Sequence, residues 1–149
     1  MTRSGLLGFL RNSRDISRRN QLRIPSETRH IRKVSSRILS SLASYAVDEG
    51  RIFDIKLCIE EAVRNAIVHG NHSEKRRAVR IAYWVEDALL SIEIEDEGAG
   101  FDHAKLADPT SGPHILKNSG RGVYLIKKLM DSVIYNDVGN MITMAKRLK

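Results

Sequence analysis

Glu61 and Asn65 stand four residues apart in the stretch Leu57-Cys58-Ile59-Glu60-Glu61-Ala62-Val63-Arg64-Asn65-Ala66-Ile67-Val68-His69-Gly70-Asn71. On a helix that spacing stacks one side chain a turn above the other, so a carboxylate and a carboxamide can act on one bound object. The apolar positions predict the helix: Ile55, Ile59, Ala62, Val63 and Ala66 fall on one broad face, and Gly70 sits where a left-handed C-terminal cap is expected. Glu60 and Arg64 are spaced as an exposed ion pair in the favourable order, contributing roughly 0.2–0.5 kcal/mol. Taken alone, the stretch also suits a plainer reading in which Glu61 and Asn65 solvate one flank of a half-buried helix.

Two further stretches favour chemistry. Ile92-Glu93-Ile94-Glu95-Asp96-Glu97-Gly98-Ala99-Gly100-Phe101-Asp102 reads as a strand running into a glycine turn, and Gly120-Arg121-Gly122-Val123-Tyr124-Leu125-Ile126 as the glycine-rich opening of another helix. An Asn-bearing helix, then Asp-x-Gly-x-Gly, then Gly-x-Gly at a helix start resembles the ATP-binding fold shared by gyrase, the heat-shock chaperone, the mismatch-repair ATPase and the histidine kinases. Within that group, Glu-Ala-x-x-Asn-Ala-x-x-His-Gly at residues 61–70, Asp-Pro-Thr from Asp108, and Gly-Arg-Gly followed by Leu-Met-Asp resemble the anti-sigma-factor serine kinases. The resemblance covers about residues 20–149.

The resemblance implies an α+β two-layer sandwich, with a mixed, mainly antiparallel β-sheet and helices on one face. It also implies a site for ATP or ADP with Mg2+. Asn65 would be the magnesium ligand, in keeping with a metal that prefers oxygen and takes only one or two protein side chains. Glu61 would be the general base that aligns and deprotonates an incoming hydroxyl, a role typically giving ~10²–10⁴-fold in rate. Asp96, at a strand end, would accept a hydrogen bond from the exocyclic amine of adenine. Guanine would oppose it with a carbonyl oxygen, and a site of this kind can discriminate by up to ~10⁴–10⁵. Gly98 and Gly100 would let the backbone turn and approach the ring, and Thr143 resembles the strand threonine that helps hold the same adenine edge, the alternative being a surface threonine on an alternating strand. Gly120, Gly122 and the N–H groups after them, Val123 included, would offer a helix N-terminus to the phosphates, with Arg121 adding charge. Two positions depart from the family pattern: Arg64 stands where Thr is usual, and Gly139-Asn140 where Gly-Thr often precedes the last strand.

The elements that must position these residues follow from pattern and punctuation. A chain of 149 residues suits one domain with one core. Gln21-Leu22-Arg23-Ile24 predicts a short edge strand, and Pro25-Ser26 ends it with Ser26 as a helix N-cap. Ile31, Val34, Ile38, Leu42 and Tyr45 mark a helix from Ser26 to about Val47 that lies on a sheet. Its His30 lacks the surroundings of a phosphorylated histidine. Asp48-Glu49-Gly50-Arg51 reads as a break, with the central helix starting near Phe53 or Asp54. After a polar loop at Asn71–Lys75, residues 78–85 and 89–95 predict a hairpin, and the basic cluster at Lys75-Arg76-Arg77-Arg80 either a phosphate contact or, as is more usual at a strand entry, a solvated edge. Residues 102–119 form a long irregular connection of the kind used as a lid. A helix to about Asp131 and a closing hairpin at 133–136 and 141–148 complete the domain.

Composition limits the partners. Of the formal charge of +7, ten Lys and Arg against Asp15 and Glu27 fall within the first 37 residues, so the body beyond is nearly neutral. Residues 1–19 therefore read as a basic, partly ordered extension, and residues 20–149 as the nucleotide-binding domain. Direct nucleic-acid binding and membrane association rest on that arm alone and are not expected of the body. No run approaches the ~18 apolar residues of a membrane span, and Cys58 is the single cysteine, an expected buried, inert thiol in a cytoplasmic protein. The resemblance implies two partners, a small anti-anti-sigma protein of the STAS type that receives the γ-phosphate and a sigma factor, and admits a homodimer through the sheet edge and first helix. A nucleotide-binding partner switch of the same fold, without phosphate transfer, is the alternative.

Overall fold

The computed structural model describes residues 19–100 and 118–149. The rest of the N-terminal arm, nearly all of the expected lid and the Asp108-Pro109-Thr110 motif lie outside them. Alternation of apolar and polar residues gives five strands: β1 (Asn20–Pro25), β2 (Ala78–Glu86), β3 (Leu89–Glu95), β4 (Ser132–Tyr135) and β5 (Met141–Arg147). Residues at spacings of three and four give α1 (Ile31–Ser40), α2 (Glu49–Asn65) and α3 (Asn118–Leu129).

The sheet order is β1-β2-β3-β5-β4, and every pair among the described residues is antiparallel. The expected mixed sheet is thus antiparallel throughout these strands. The reason is topological: α3 delivers the chain to β4 at the edge, and a hairpin returns β5 between β4 and β3. Ile31, Val34 and Ile38 of α1, Ile55, Ile59 and Val63 of α2, and Ile126 of α3 close over Val79, Ile81, Leu90, Ile92, Ile94 and Met144 of the sheet. One face of the sheet therefore carries all three helices, as expected.

Several local expectations are corrected. Ser26 caps no helix; its buried hydroxyl donates to the Arg77 carbonyl at 2.6 Å and accepts from Asn71 Nδ2 at 2.9 Å. The first helix stops at Ser40, and a 3-10 turn at Ala43–Tyr45 ends on Ala46 in the left-handed region, φ 50°. Asp48-Glu49-Gly50-Arg51 opens α2 instead of breaking the chain, because the Asp48 carboxylate accepts the Arg51 N–H at 2.9 Å as an N-cap. Glu60 accepts from Ser35 Oγ at 3.0 Å, while Arg64 lies 3.6 Å from Glu61, one residue away from the expected partner. Cys58 is fully buried and its thiol is pushed up to about 12, chiefly by burial, which keeps it unreactive.

The β2–β3 hairpin turns on Asp87 and Ala88, both at positive φ, 51° and 58°. Two left-handed central residues match the twist of paired strands, but a Cβ at such a position costs roughly 1–2 kcal/mol. Ala88→Gly is therefore expected to stabilise the fold by about 1 kcal/mol and raise the Tm by about 2–4 °C, read by differential scanning calorimetry. An unchanged or lowered Tm would show that Ala88 is not strained.

Candidate nucleotide site

The end of α2 departs from a regular helix where the site begins. After Asn65 the chain widens into a π turn, Ala66–Gly70, closed by Asn71 N–H to the Ala66 carbonyl at 2.8 Å. Such turns recur at functional sites because they re-aim the side chains beside them. Gly70 is not in the left-handed region expected of it, since among the described residues only Gly100 and Gly139 are glycines at positive φ. It is required for another reason: a Cβ there would fall 2.2 Å from Asp96 Oδ2. The helix end and the acid at the end of β3 touch through the missing side chain.

Asp96 is held from several sides. Its N–H donates to the Asn140 carbonyl at 2.9 Å, and its Oδ1 accepts from the Gly98 N–H at 2.8 Å. Burial pushes the carboxyl above its ordinary range, with a smaller push from Glu95; the Gly98 N–H, Arg77 and His72 act the other way. An acceptor that is half desolvated and only partly satisfied is primed for a donor from a ligand.

A cavity of about 250 Å³ opens beside it, walled by Ala62, Asn65, Ala66, His69 and Gly70 from the α2 end, Ile94, Asp96 and Gly100 around β3, Val123 and Ile126 from α3, and Tyr135, Gly139, Asn140, Met141 and Ile142 from the closing hairpin. The walls are mainly apolar with a few polar groups, the usual make-up of a small-molecule site. Asn65 and Asp96, distant in sequence, share it.

The other predicted residues divide. Glu61 does not line this cavity; it sits beside it, where α2 meets α3, so close to Gly122 that a Cβ there would fall 2.1 Å from Glu61 Oε1. Val123 lines the cavity, Arg121 is exposed, and Gly120 to Gly122 lie within the first turns of α3, which starts two residues earlier than expected. Gly98 and Gly100 serve close backbone approach, though to protein: a Cβ would fall 2.1 Å from the Gly70 carbonyl oxygen and 2.0 Å from that of Val138. Gly100 also lines the cavity.

Thr143 is a correction. Ile142 and Met144 face the helices, so the residue between them faces the other side of the sheet, paired with Glu93 and Ile134. The alternation Ile-Thr-Met carried that signal. The position on the cavity belongs to Asn140, whose Oδ1 accepts from Asn136 Nδ2 at 2.6 Å. Asn136 Oδ1 in turn accepts the N–H groups of Gly139, Asn140 and Met141 at 2.8, 3.0 and 3.2 Å, fixing the turn that closes the cavity. Tyr135, Ile126 and His69 were also missed; their types carry no signature, and only the fold brings them here.

Among the described residues no cluster of three or more His, Cys, Asp or Glu could hold a metal. A magnesium ion bound largely through water and phosphate needs none, and the Asn65 amide oxygen is a donor of the right hardness.

Comparison with known proteins identifies the family and the fold. Residues 24–146 match the family described as histidine kinase-like ATPase domain. A serine-protein kinase RsbW of Bacillus subtilis (strain 168) is 32% identical over 138 residues, spanning 86% of this chain and 84% of the relative. One from Oceanobacillus iheyensis is 29% identical over 134 residues, 85% of this chain and 84% of its own length. An anti-sigma F factor of the same organism is 41% identical over 83 residues, 54% of this chain and 56% of the relative. A solved structure of the RsbU and RsbW domains of a Mycobacterium tuberculosis protein shares the fold, with a TM-score of 0.60, 19% identity, and coverage of 87% of this chain and 32% of that one.

Gly70→Ala is expected to push the Asp96 carboxylate aside and abolish adenine-nucleotide binding by calorimetry while the far-UV spectrum stays native; retained affinity would remove this contact from the site. Asp96→Asn should also lose the nucleotide. Because burial raises the carboxyl, the ionised form costs stability at pH 7, and that cost fades as pH falls through the folded pKa. Asp96→Asn should therefore be at least as stable as wild type at pH 7, with the difference shrinking under acid; a clearly lower Tm at pH 7 would contradict it.

Proposed function

The chain belongs to the histidine kinase-like ATPase family, and from that premise we propose that it is an ATP-dependent serine/threonine protein kinase of the anti-sigma type, passing the γ-phosphate to a small anti-anti-sigma protein and regulating a sigma factor by exchange of partners. The observation that carries this reading is the shared cavity of Asn65 and Asp96, with Glu61 one helical turn from Asn65 at the contact between α2 and α3.

In this reading adenine enters the apolar cavity with its exocyclic amine donating to Asp96. Asn65 holds the magnesium ion, which supplies charge neutralisation of the phosphates when bound. The first turns of α3 offer unpaired N–H groups to the same phosphates. Glu61 accepts the proton of the substrate hydroxyl as its oxygen attacks the γ-phosphorus, and ADP leaves. Arg64, 3.6 Å away, and Gly122 restrain the direction in which Glu61 points. The exposed edge of β1 offers a surface for a homodimer. No helix among the described residues is long and apolar enough to cross a membrane.

A second reading, nucleotide-dependent partner exchange without transfer, draws on Glu61 lying outside the cavity walls. Labelled ATP and an anti-anti-sigma protein from the same genome separate the two. Glu61→Gln should lower phosphate transfer by about 10²–10⁴-fold with nucleotide affinity unchanged. Absence of transfer by the unaltered protein favours the exchange reading, and loss of nucleotide binding in the variant would take the base role from Glu61.

A further inference from the structure

Arg64 is held, loosely, against the residue proposed as general base. Its Nη1 lies 3.6 Å from Glu61 Oε2, and among the described residues no other carboxylate pairs with it. Glu60, one turn earlier on α2, is engaged instead by Ser35 Oγ of α1 at 3.0 Å. The Arg64–Glu61 separation is longer than a hydrogen bond, and the two side chains are 50% and 23% exposed. Water therefore screens the pair, and a pair of this kind exchanges its partner readily.

The cavity beside it carries no cation of its own: none of the described residues that line it is Lys or Arg. A triphosphate is strongly anionic, and Glu61 adds another negative charge where α2 meets α3. Like charges gathered in a partly desolvated place repel unless a cation joins them. Two basic side chains come to that end among the described residues. Arg121 is exposed in the first turns of α3, next to the Gly122 that abuts Glu61. Arg64 directly precedes Asn65, which lines the cavity, and is the one already placed at the Glu61 carboxylate.

We propose, resting on the nucleotide reading of this site, that Arg64 distinguishes ATP from ADP: its guanidinium leaves Glu61 for the γ-phosphate when the triphosphate binds. With Glu61 as the base for attack at the γ-phosphorus, only the third phosphate comes beside that carboxylate, and ADP ends short of it. The planar guanidinium fork matches two phosphate oxygens at once and makes shorter, stronger bonds to them than the present ion pair has. Exchange therefore favours the phosphate. It also frees the Glu61 carboxylate from its counter-charge when a substrate hydroxyl needs an acceptor. Threonine, the residue usual at this position, is uncharged and too short to make the exchange, so the discrimination belongs to the departure at Arg64.

The test is calorimetric titration of the full chain with ATP, with its non-hydrolysable β,γ-imido analogue and with ADP, each with magnesium. The same titrations are made on Arg64→Gln, Arg64→Lys, Glu61→Gln and the double variant Glu61→Gln/Arg64→Gln, each checked for native far-UV circular dichroism. Arg64→Gln should weaken ATP and the analogue by about 10–100-fold, the loss of hydrogen bonds to a charged group, with ADP affinity unchanged. Arg64→Lys, which keeps the charge, should recover part of the preference for ATP. The loss should persist when Arg64→Gln is made in the Glu61→Gln background. Equal weakening of ATP and ADP, or of neither, overturns the proposal while leaving the nucleotide site in place. A loss that vanishes in the Glu61→Gln background overturns it too, since Arg64 would then only neutralise Glu61. If the unaltered chain binds no adenine nucleotide, the nucleotide reading falls and the proposal with it.

Discussion

The buried carboxamide of Asn71 ties together the parts of the chain that make the site. Its Oδ1 accepts the Glu97 N–H at 2.7 Å, and its Nδ2 donates to the Ala78 carbonyl at 3.0 Å and to Ser26 Oγ at 2.9 Å. The turn after Asp96, the start of β2 and the exit of β1 are thereby all referred to the end of α2. Each bond contributes only about 0.5–1.5 kcal/mol net, but an unmet buried partner costs roughly 1–3 kcal/mol, so the network is strongly selective for one arrangement. Because Asn71 terminates the π turn that follows Asn65, the same side chain sets the separation between the carboxamide and the acid that share the cavity.

Two kinds of constraint build the cavity around that hub. Close backbone approach is the first: Gly70 against Asp96, Gly98 against the Gly70 carbonyl and Gly100 against the Val138 carbonyl leave no room for a side chain. Selective desolvation is the second. Ile94, Ile126 and Ile142 line the cavity that Asp96 also borders, and burial raises its carboxyl toward the neutral form, a cost that a hydrogen bond from a ligand can offset. A flat heterocycle with one donor satisfies both constraints, apolar contact on its faces and a partner for the acid at its edge. Glu61, outside this enclosure and against Gly122, lies where α2 and α3 meet; under the proposed function that position separates recognition of the base from chemistry at the phosphates.

The two faces of the sheet divide the remaining work. The helix-bearing face holds the main core and the cavity; the other holds a smaller cluster around Trp84. Both back onto β3, the strand that ends in Asp96. Arg64 and Asn140, the two departures from the family pattern, also fall at this centre: one beside Glu61 and the other in the turn facing Asp96.

Spacing alone determined the helix carrying Glu61 and Asn65, the two hairpins and the acid at the end of β3, because periods of 3.6 and 2 are written directly in the order of apolar residues. The inert burial of Cys58 was legible for the same reason. What only the tertiary structure decided were contacts between segments far apart in the chain. Gly70 looked like a helix cap and is a point of contact with Asp96; Asn71 looked like the start of a polar loop and is fully buried; Ser26 looked like a cap and is one of its partners. Thr143 was assigned by type, whereas its place was set by the alternation of its strand, which turns it away from the helices. Local sequence fixes which conformation a segment prefers, since that depends on neighbours along the chain. Which side chain must be absent for two backbones to meet, and which amide must bridge them, depends on neighbours brought together only when the sheet and helices close on one core.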